Sequence, residues 1–336
     1  MNCLISILIP VYNRQNLVKE CVASVLAQTY QNFEIILIDD GSTDQTVSIC
    51  RQLANNDSRI RLLEENHGGV SAARNKGLEI TNGDYVFFLD SDDVIHPFLL
   101  EELLNSMEAS GAPMGGTCVA SVSEHYWNRV QERLAQPVNP CGTTYHDYTD
   151  SLEAIFRGSS PLNMIGGVMF RRDWIGQTRF REDLSIGEDF YFIYENLIKG
   201  ASSVFLNEKR YYSRLHKSNT SWDYSFTGFW SRFARRELVW KSEEKAGRMD
   251  YAKQQKQEAL YCFLRCLKEH KLPCEDVDKM RHVMKDYKNT ILPALSWKAK
   301  IRYYLSVYMP GLYLFLSRVK HRLKAFTKKH LSKSIR

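Results

Sequence analysis

Tyr85-Val86-Phe87-Phe88-Leu89-Asp90-Ser91-Asp92-Asp93 is the stretch whose reading decides the fold. The apolar run reads as a buried strand, and three carboxylates follow where that strand ends and the chain turns outward. In open α/β sheets ligands bind beyond the carboxyl ends of the strands. An Asp-rich turn after a strand is also a common solvated loop or helix cap, so the tetrapeptide alone decides little. Its weight rises because a second acidic turn lies upstream, where Phe33-Glu34-Ile35-Ile36-Leu37-Ile38 runs into Asp39-Asp40-Gly41-Ser42-Thr43-Asp44. Two strand ends thus deliver carboxylates, the donors that suit a hard divalent cation already holding phosphate oxygens.

Working outward, strand-like and helix-like patterns alternate through residues 1–110 at βα spacing, which predicts a parallel α/β sheet. The first helical stripe, Leu17, Val18, Cys21, Val22, Val25 and Leu26, reads as core packing, and Ser42 and Thr43 beside Asp44 can cap the second helix. Residues 111–225 loosen into short strands and loops, and residues 226–296 are helical in pattern, a small appended bundle with no visible chemistry.

The 336 residues allow one large domain or one and a half, with a substantial core. The net charge of +6 hides an asymmetry. Residues 297–336 hold 11 Lys or Arg and no acid, leaving 34 basic against 39 acidic residues, a net of −5, for the rest. A basic tail on an acidic body predicts contact with an anionic surface. Ile301, Tyr304, Leu305 and Tyr308, then a Pro310-Gly311 break, then Leu312, Phe315, Leu316, Val319, Leu323 and Phe326 read as a basic amphipathic helix pair. It is too short and broken to span roughly 30 Å of hydrocarbon. Lying in an anionic bilayer interface is one expectation, and a helix docked on the protein with a solvated basic face is the other. A nucleic-acid partner is not expected, since no recognisable binding module accompanies the tail. The eight cysteines lack paired metal-ligand spacing and read as reduced, buried small hydrophobes, which predicts a cytoplasmic protein. The N-terminal run lacks the basic region of a signal peptide and reads as a first strand.

Four motifs in order then resemble the family 2 glycosyltransferases: Ile7-Leu8-Ile9-Pro10-Val11-Tyr12-Asn13-Arg14, Asp39 to Asp44, Asn66-His67-Gly68-Gly69-Val70-Ser71-Ala72-Ala73-Arg74-Asn75, and Asp90-Ser91-Asp92-Asp93. The resemblance implies a GT-A fold, a mixed α/β sheet flanked by helices, over residues 1–225, with residues 1–110 as the nucleotide-sugar half and 111–225 as the acceptor half. It also implies an inverting, metal-dependent glycosyltransferase at the inner face of the cell membrane. Such an enzyme moves a sugar from a nucleotide-sugar, UDP favoured over GDP, to a glycan or lipid-linked acceptor in cell-surface polysaccharide synthesis.

On this resemblance Pro10, Tyr12 and Asp40 cradle the uridine, Asp40 accepting the uracil N3–H. Arg74 can offer its fork to the pyrophosphate or to Asp92, or simply pair with a surface acid. In the DXD-type triplet Asp90-Ser91-Asp92, Asp92 is the direct ligand of Mn²⁺ or Mg²⁺, Asp90 contacts the ribose or metal-bound water, and Ser91 lies in the same donor-binding turn. Asp93 reads as a helix cap. In Gly187-Glu188-Asp189-Phe190 the resemblance makes Asp189 the base that takes the acceptor proton, with Glu188 free to bind acceptor hydroxyls; both acids can also cap a helix N-terminus. Tyr211 to His216 resembles a segment that closes over the donor, and His216 can complete the metal sphere, touch the diphosphate or be structural. Gly166 and Gly167 admit a sugar, or make a tight turn.

Two other enzyme classes fit less well. A nucleotidyltransferase needs a glycine-rich loop after its first strand, which is absent, and a glycoside hydrolase leaves the nucleotide-like loops unexplained. A nucleotide-sugar-binding subunit without catalysis is the alternative from outside enzymology.

Overall fold

The computed structural model describes residues 3–135, 141–158, 160–215, 223–268 and 272–317. Two compact units divide the chain, residues 1–219 and 220–336. The first opens with β1 (Ile5–Val11), α1 (Val18–Leu26), β2 (Phe33–Asp40), α2 (Thr46–Asn56), β3 (Ile60–Glu65), α3 (Val70–Ile80) and β4 (Tyr85–Phe88). It continues through β5 (Val94–Ile95), α4 (Leu99–Ser110), β6 (Met114–Ser123), α5 (Asn128–Leu134), β7 (Thr143–His146), α6 (Tyr148–Arg157), β8 (Val168–Arg171), α7 (Arg172–Ile175), α8 (Glu188–Leu197) and β9 (Ser203–Leu215).

These strands form one sheet in the order β3-β2-β1-β4-β8-β6-β9-β5, with β7 paired to β9. The β3-β2-β1-β4 half is parallel, as the alternating pattern predicts. Beyond β4 the pairing with β8 is antiparallel and the sheet becomes mixed. Every residue of β1 and β2 is buried, because helices cover both faces of a parallel sheet and leave no solvated side. On one face Ile5, Ile7, Ile9 and Val11 pack with Val18, Cys21, Val22 and Val25 of α1, whose i, i+3, i+4, i+7 spacing puts them on one stripe. Cys21 and Cys50 lie in this core as small hydrophobes.

Two expectations change here. Ser42 and Thr43 do not cap α2; its N-cap is Gln45, whose side chain makes no cap bond, and the Asp44 carboxylate accepts the first helical N–H, that of Thr46, at 2.9 Å. Tyr211 to Leu215 is no lid but the end of β9, paired to both β5 and β6, with Tyr211 wholly buried. His216 lies outside the described residues.

The second unit comprises α9 (Phe226–Lys245), α10 (Met249–Cys266), α11 (Cys274–Asp286), α12 (Lys288–Ile291) and α13 (Trp297–Tyr308), and residues 310–317 are again helical. Its core joins Phe229, Phe233, Trp240, Phe263, Met280 and Met284. The sequence set residue 297 onward apart as a tail. Instead α13 closes this core through Ala299, Tyr303 and Val307, a stripe at i, i+4, i+8 that the reading passed over.

Candidate active site

The strand order turns at β1, which connects to β2 on one side and lies against β4 on the other, so a crevice opens beyond the carboxyl ends of these three strands. Register brings the sequence motifs there: Val11 pairs with Asp39, and Leu8 with Phe88, two residues before Asp90. Pro10 is tolerated inside β1 because pairing with β4 has ended at Leu8 and no ladder donor is lost on that side. Beyond it Asn13 takes the left-handed conformation at φ 52°, which Asn adopts more readily than most residues. Its N–H donates to Ser42 Oγ at 3.0 Å and its Oδ1 accepts from the Thr43 N–H at 2.9 Å, tying the end of β1 to the loop after β2. Tyr12 is 40% exposed at the mouth and stacks on His67, ring centroids 4.4 Å apart.

Asp39 and Asp40 face opposite sides of β2 and have different work. The Asp40 carboxylate is spent: it accepts from the N–H of Gly68 at 2.7 Å and of Gly69 at 3.0 Å, and His67 Nδ1 lies 2.9 Å away. It fastens the loop that opens α3, so the expected contact to uracil does not fit its surroundings. Asp39 accepts the Ser42 N–H through Oδ2 at 3.0 Å, while its buried Oδ1 has no hydrogen-bond partner. A buried acceptor without a donor is costly, and this one lies on the α2 side of the sheet, where Cys50 and Arg51 feel the Asp39 charge.

Arg74 on α3 is buried, and two arms of its fork are directed, Nη2 to Asp90 Oδ1 at 2.9 Å and Nη1 to Glu188 Oε1 at 3.0 Å, while its Nε has no hydrogen-bond partner. It does not meet Asp92. One guanidinium therefore bridges the turn after β4 and the first residue of α8. Glu188 is buried against it and so is not an open acceptor contact; burial first, then the Asp189 charge, pushes its carboxyl up to about 7 in spite of Arg74. Asp189 is partly exposed beside it, with Oδ1 accepting the Phe190 N–H at 2.7 Å. Asp90 keeps 34% of its side chain exposed. Its carboxyl is raised by desolvation first and then by the charges of Asp92 and Asp189, with Arg74 opposing.

The rest of the turn is held from β9. Asp93 is no helix cap: it is buried, accepts the Arg214 N–H at 2.8 Å and bonds to the Tyr211 hydroxyl. Burial and the Asp90 and Asp92 charges push its carboxyl well up. The Tyr211 hydroxyl in turn accepts the Asp90 N–H at 3.2 Å. Gly166 and Gly167 give this tyrosine its seat. A Cβ on Gly166 would lie 2.6 Å from the Tyr211 hydroxyl, and Gly167 has φ 83° with the ring 3.0 Å from where its Cβ would be. The glycines are explained by close approach of backbone to Tyr211. Ser91 is buried in the turn, and Asp92 faces Arg14 Nη2 at 3.5 Å.

Among the described residues no three His, Cys, Asp or Glu side chains gather as a ready metal cage. The donor set nonetheless suits a hard cation. Asp90 and Asp92 offer oxygens at one turn beside a third carboxylate, Asp93, with Arg74 and Arg14 as neighbouring cations. A hollow of about 500 Å³ in the second unit, near Lys253 and Asn289, holds no comparable chemistry; its Glu244 and Lys256 are already paired.

Sequence reasoning missed the means by which the acids are brought together. Phe88, two residues before Asp90, meets Phe192 of α8 edge-on at 5.7 Å and Phe180 at 5.4 Å, and Phe180 stacks on Phe192 at 4.0 Å. Buried Asn75 grips the backbone of Phe180, its Nδ2 donating to the carbonyl at 2.9 Å and its Oδ1 accepting the N–H at 2.8 Å. Three aromatic contacts worth about 0.5–1.5 kcal/mol each thus tie the end of β4 to the helix that carries Glu188 and Asp189.

The mixed sheet, the crevice at its turning point and the acids around it define the class as a protein of GT-A fold. The model of glycosyl transferase family 2 matches residues 6–178, just over half the chain, and the chain belongs to that family. Glycosyltransferase GlyA of Streptococcus pneumoniae is 30% identical over 226 residues, 65% of this chain and 31% of that protein. Putative glycosyltransferase EpsH of Bacillus subtilis is 28% identical over 221 residues, 64% of this chain and 62% of that protein. The matched region thus spans about a third of the first relative and under two thirds of the second. In shape, the crystal structure of S. aureus TarS 1–349 in complex with UDP-GlcNAc gives a TM-score of 0.63 at 19% identity, covering 94% of this chain and 87% of that one.

Proposed function

We propose that the protein transfers a sugar from a UDP-sugar to a hydroxyl of a glycan or lipid-linked acceptor, with inversion at the anomeric carbon. The observation that carries this reading is the meeting, at one crevice, of the exposed Tyr12 ring on His67, the Asp90–Asp92 turn with its two arginines, and Asp189. The base lies against the exposed Tyr12 ring. The shared fold with a protein solved with UDP-GlcNAc supports a uridine donor. Asp92, with Asp90 beside it, would hold Mn²⁺ or Mg²⁺, which when bound supplies Lewis-acid stabilisation of the departing diphosphate. Asp189 takes the acceptor proton as that oxygen attacks the anomeric carbon; the new C–O bond forms as the bond to the diphosphate breaks, and UDP leaves. Arg74 is a positioning residue, holding Asp90 and Glu188 in register.

Calorimetric titration of UDP and of GDP, with and without Mn²⁺, tests the donor site in wild type and Asp92→Ala. Metal-dependent UDP binding lost in the variant is expected; equal binding of GDP would overturn the uridine assignment. For the base, Asp189→Asn should abolish transfer and leave UDP affinity unchanged. Donor binding without turnover in the wild type, across UDP-sugars, would assign the chain to a binding subunit.

A further inference from the structure

Helix α13 has two apolar faces. One is buried in the second unit through Ala299, Tyr303 and Val307. The other, Trp297, Ile301, Tyr304 and Tyr308, follows i, i+4, i+7, i+11 and is exposed, Trp297 to 66%. The helical stretch 310–317 continues the exposed surface with Leu312 and Phe315, the latter 62% exposed. Scattered exposed apolar residues are ordinary, but a contiguous stripe at helical spacing marks a docking surface.

Its charge says what docks. Lys298, Lys288 and Lys285 lie over Trp297, Tyr304 and Tyr308, at 5.5, 5.6 and 5.6 Å from the ring centres. No acid occurs in residues 287–336, and the sequence after Ser317 adds eight Lys or Arg. Trp and Tyr beside Lys is the composition of a bilayer interface. No helix among the described residues is long and apolar enough to cross a membrane. A second copy of the chain is a poorer occupant, because a two-fold contact would set these lysines against themselves.

We propose that the exposed face of α13 docks on an anionic bilayer surface, so that membrane contact begins on a folded helix of the second unit and not only in the basic segment after it. The proposal does not rest on sugar transfer. Its test is co-sedimentation of the full chain with phosphatidylcholine vesicles, with and without phosphatidylglycerol, for wild type and Trp297→Ser/Tyr304→Ser. Both residues are exposed, and unchanged thermal melting checks the fold. Binding to the anionic vesicles, weakened about tenfold or more in the variant, is expected. Binding that the variant leaves unchanged, or no vesicle binding, would overturn it. So would a concentration-dependent dimer that the variant abolishes while vesicle binding persists.

Discussion

Asp39 and Asp40 are neighbours with opposite consequences. Replacing Asp39 by Asn alters an oxygen closed to solvent on the α2 side and should leave UDP affinity unchanged; calorimetry reads this directly. Replacing Asp40 by Ala instead strands the Gly68 and Gly69 donors, and should lower the melting temperature as well as activity. Arg74→Ala removes the guanidinium that two acids share, and leaving them uncompensated should cost about 3–5 kcal/mol by chemical denaturation. Adding Glu188→Gln should recover part of that loss, since one of the two stranded charges is gone. The sequence could place Asp39 and Asp40 at a strand end but could not choose between them. The choice depends on which face of β2 each takes and on a loop 28 residues further on.

At the scale of elements, the parallel half of the sheet was legible because strands buried on both faces and amphipathic helices leave clean patterns. The antiparallel half was not. Ser203 to Leu215 mixes buried and exposed residues, since β9 pairs with β5, β6 and β7 over different stretches, so it does not read as one strand. Glu34 shows what the reading of β2 left out. Its carboxylate accepts from Ser6 Oγ at 2.6 Å, the Asn82 N–H at 2.7 Å, Arg61 Nη1 at 3.2 Å and Asn82 Nδ2 at 3.3 Å, clamping β1, β2, β3 and the turn before β4. Burial alone would raise this carboxyl, but these donors overcome it and hold it below the ordinary value. A depressed folded value stabilises the protein fully above the unfolded value, about pH 4.3, and that contribution is lost as pH falls through the folded value. Glu34→Gln should therefore cost about 1–3 kcal/mol at neutral pH. The gap to wild type should close as denaturation is repeated at progressively more acidic pH.

For the molecule as a whole, the charge asymmetry was plain in the sequence, and the two apolar faces of α13 were not, because one stripe of aromatic residues hid another. The four motifs pointed to the family, which the family match bears out. What they could not convey is that the crevice is built around a shared cation. Arg74 joins the Asp90–Asp92 turn to the helix that bears Asp189. Charge arriving next to Asp90 draws on the guanidinium that also steadies Glu188, so the two substrates should sense each other before any bond changes. In initial-rate experiments with both substrates varied, donor occupancy should lower the acceptor Michaelis constant in wild type, and Arg74→Lys should weaken that dependence. Equal dependence in both would show that the two halves of the crevice fill independently.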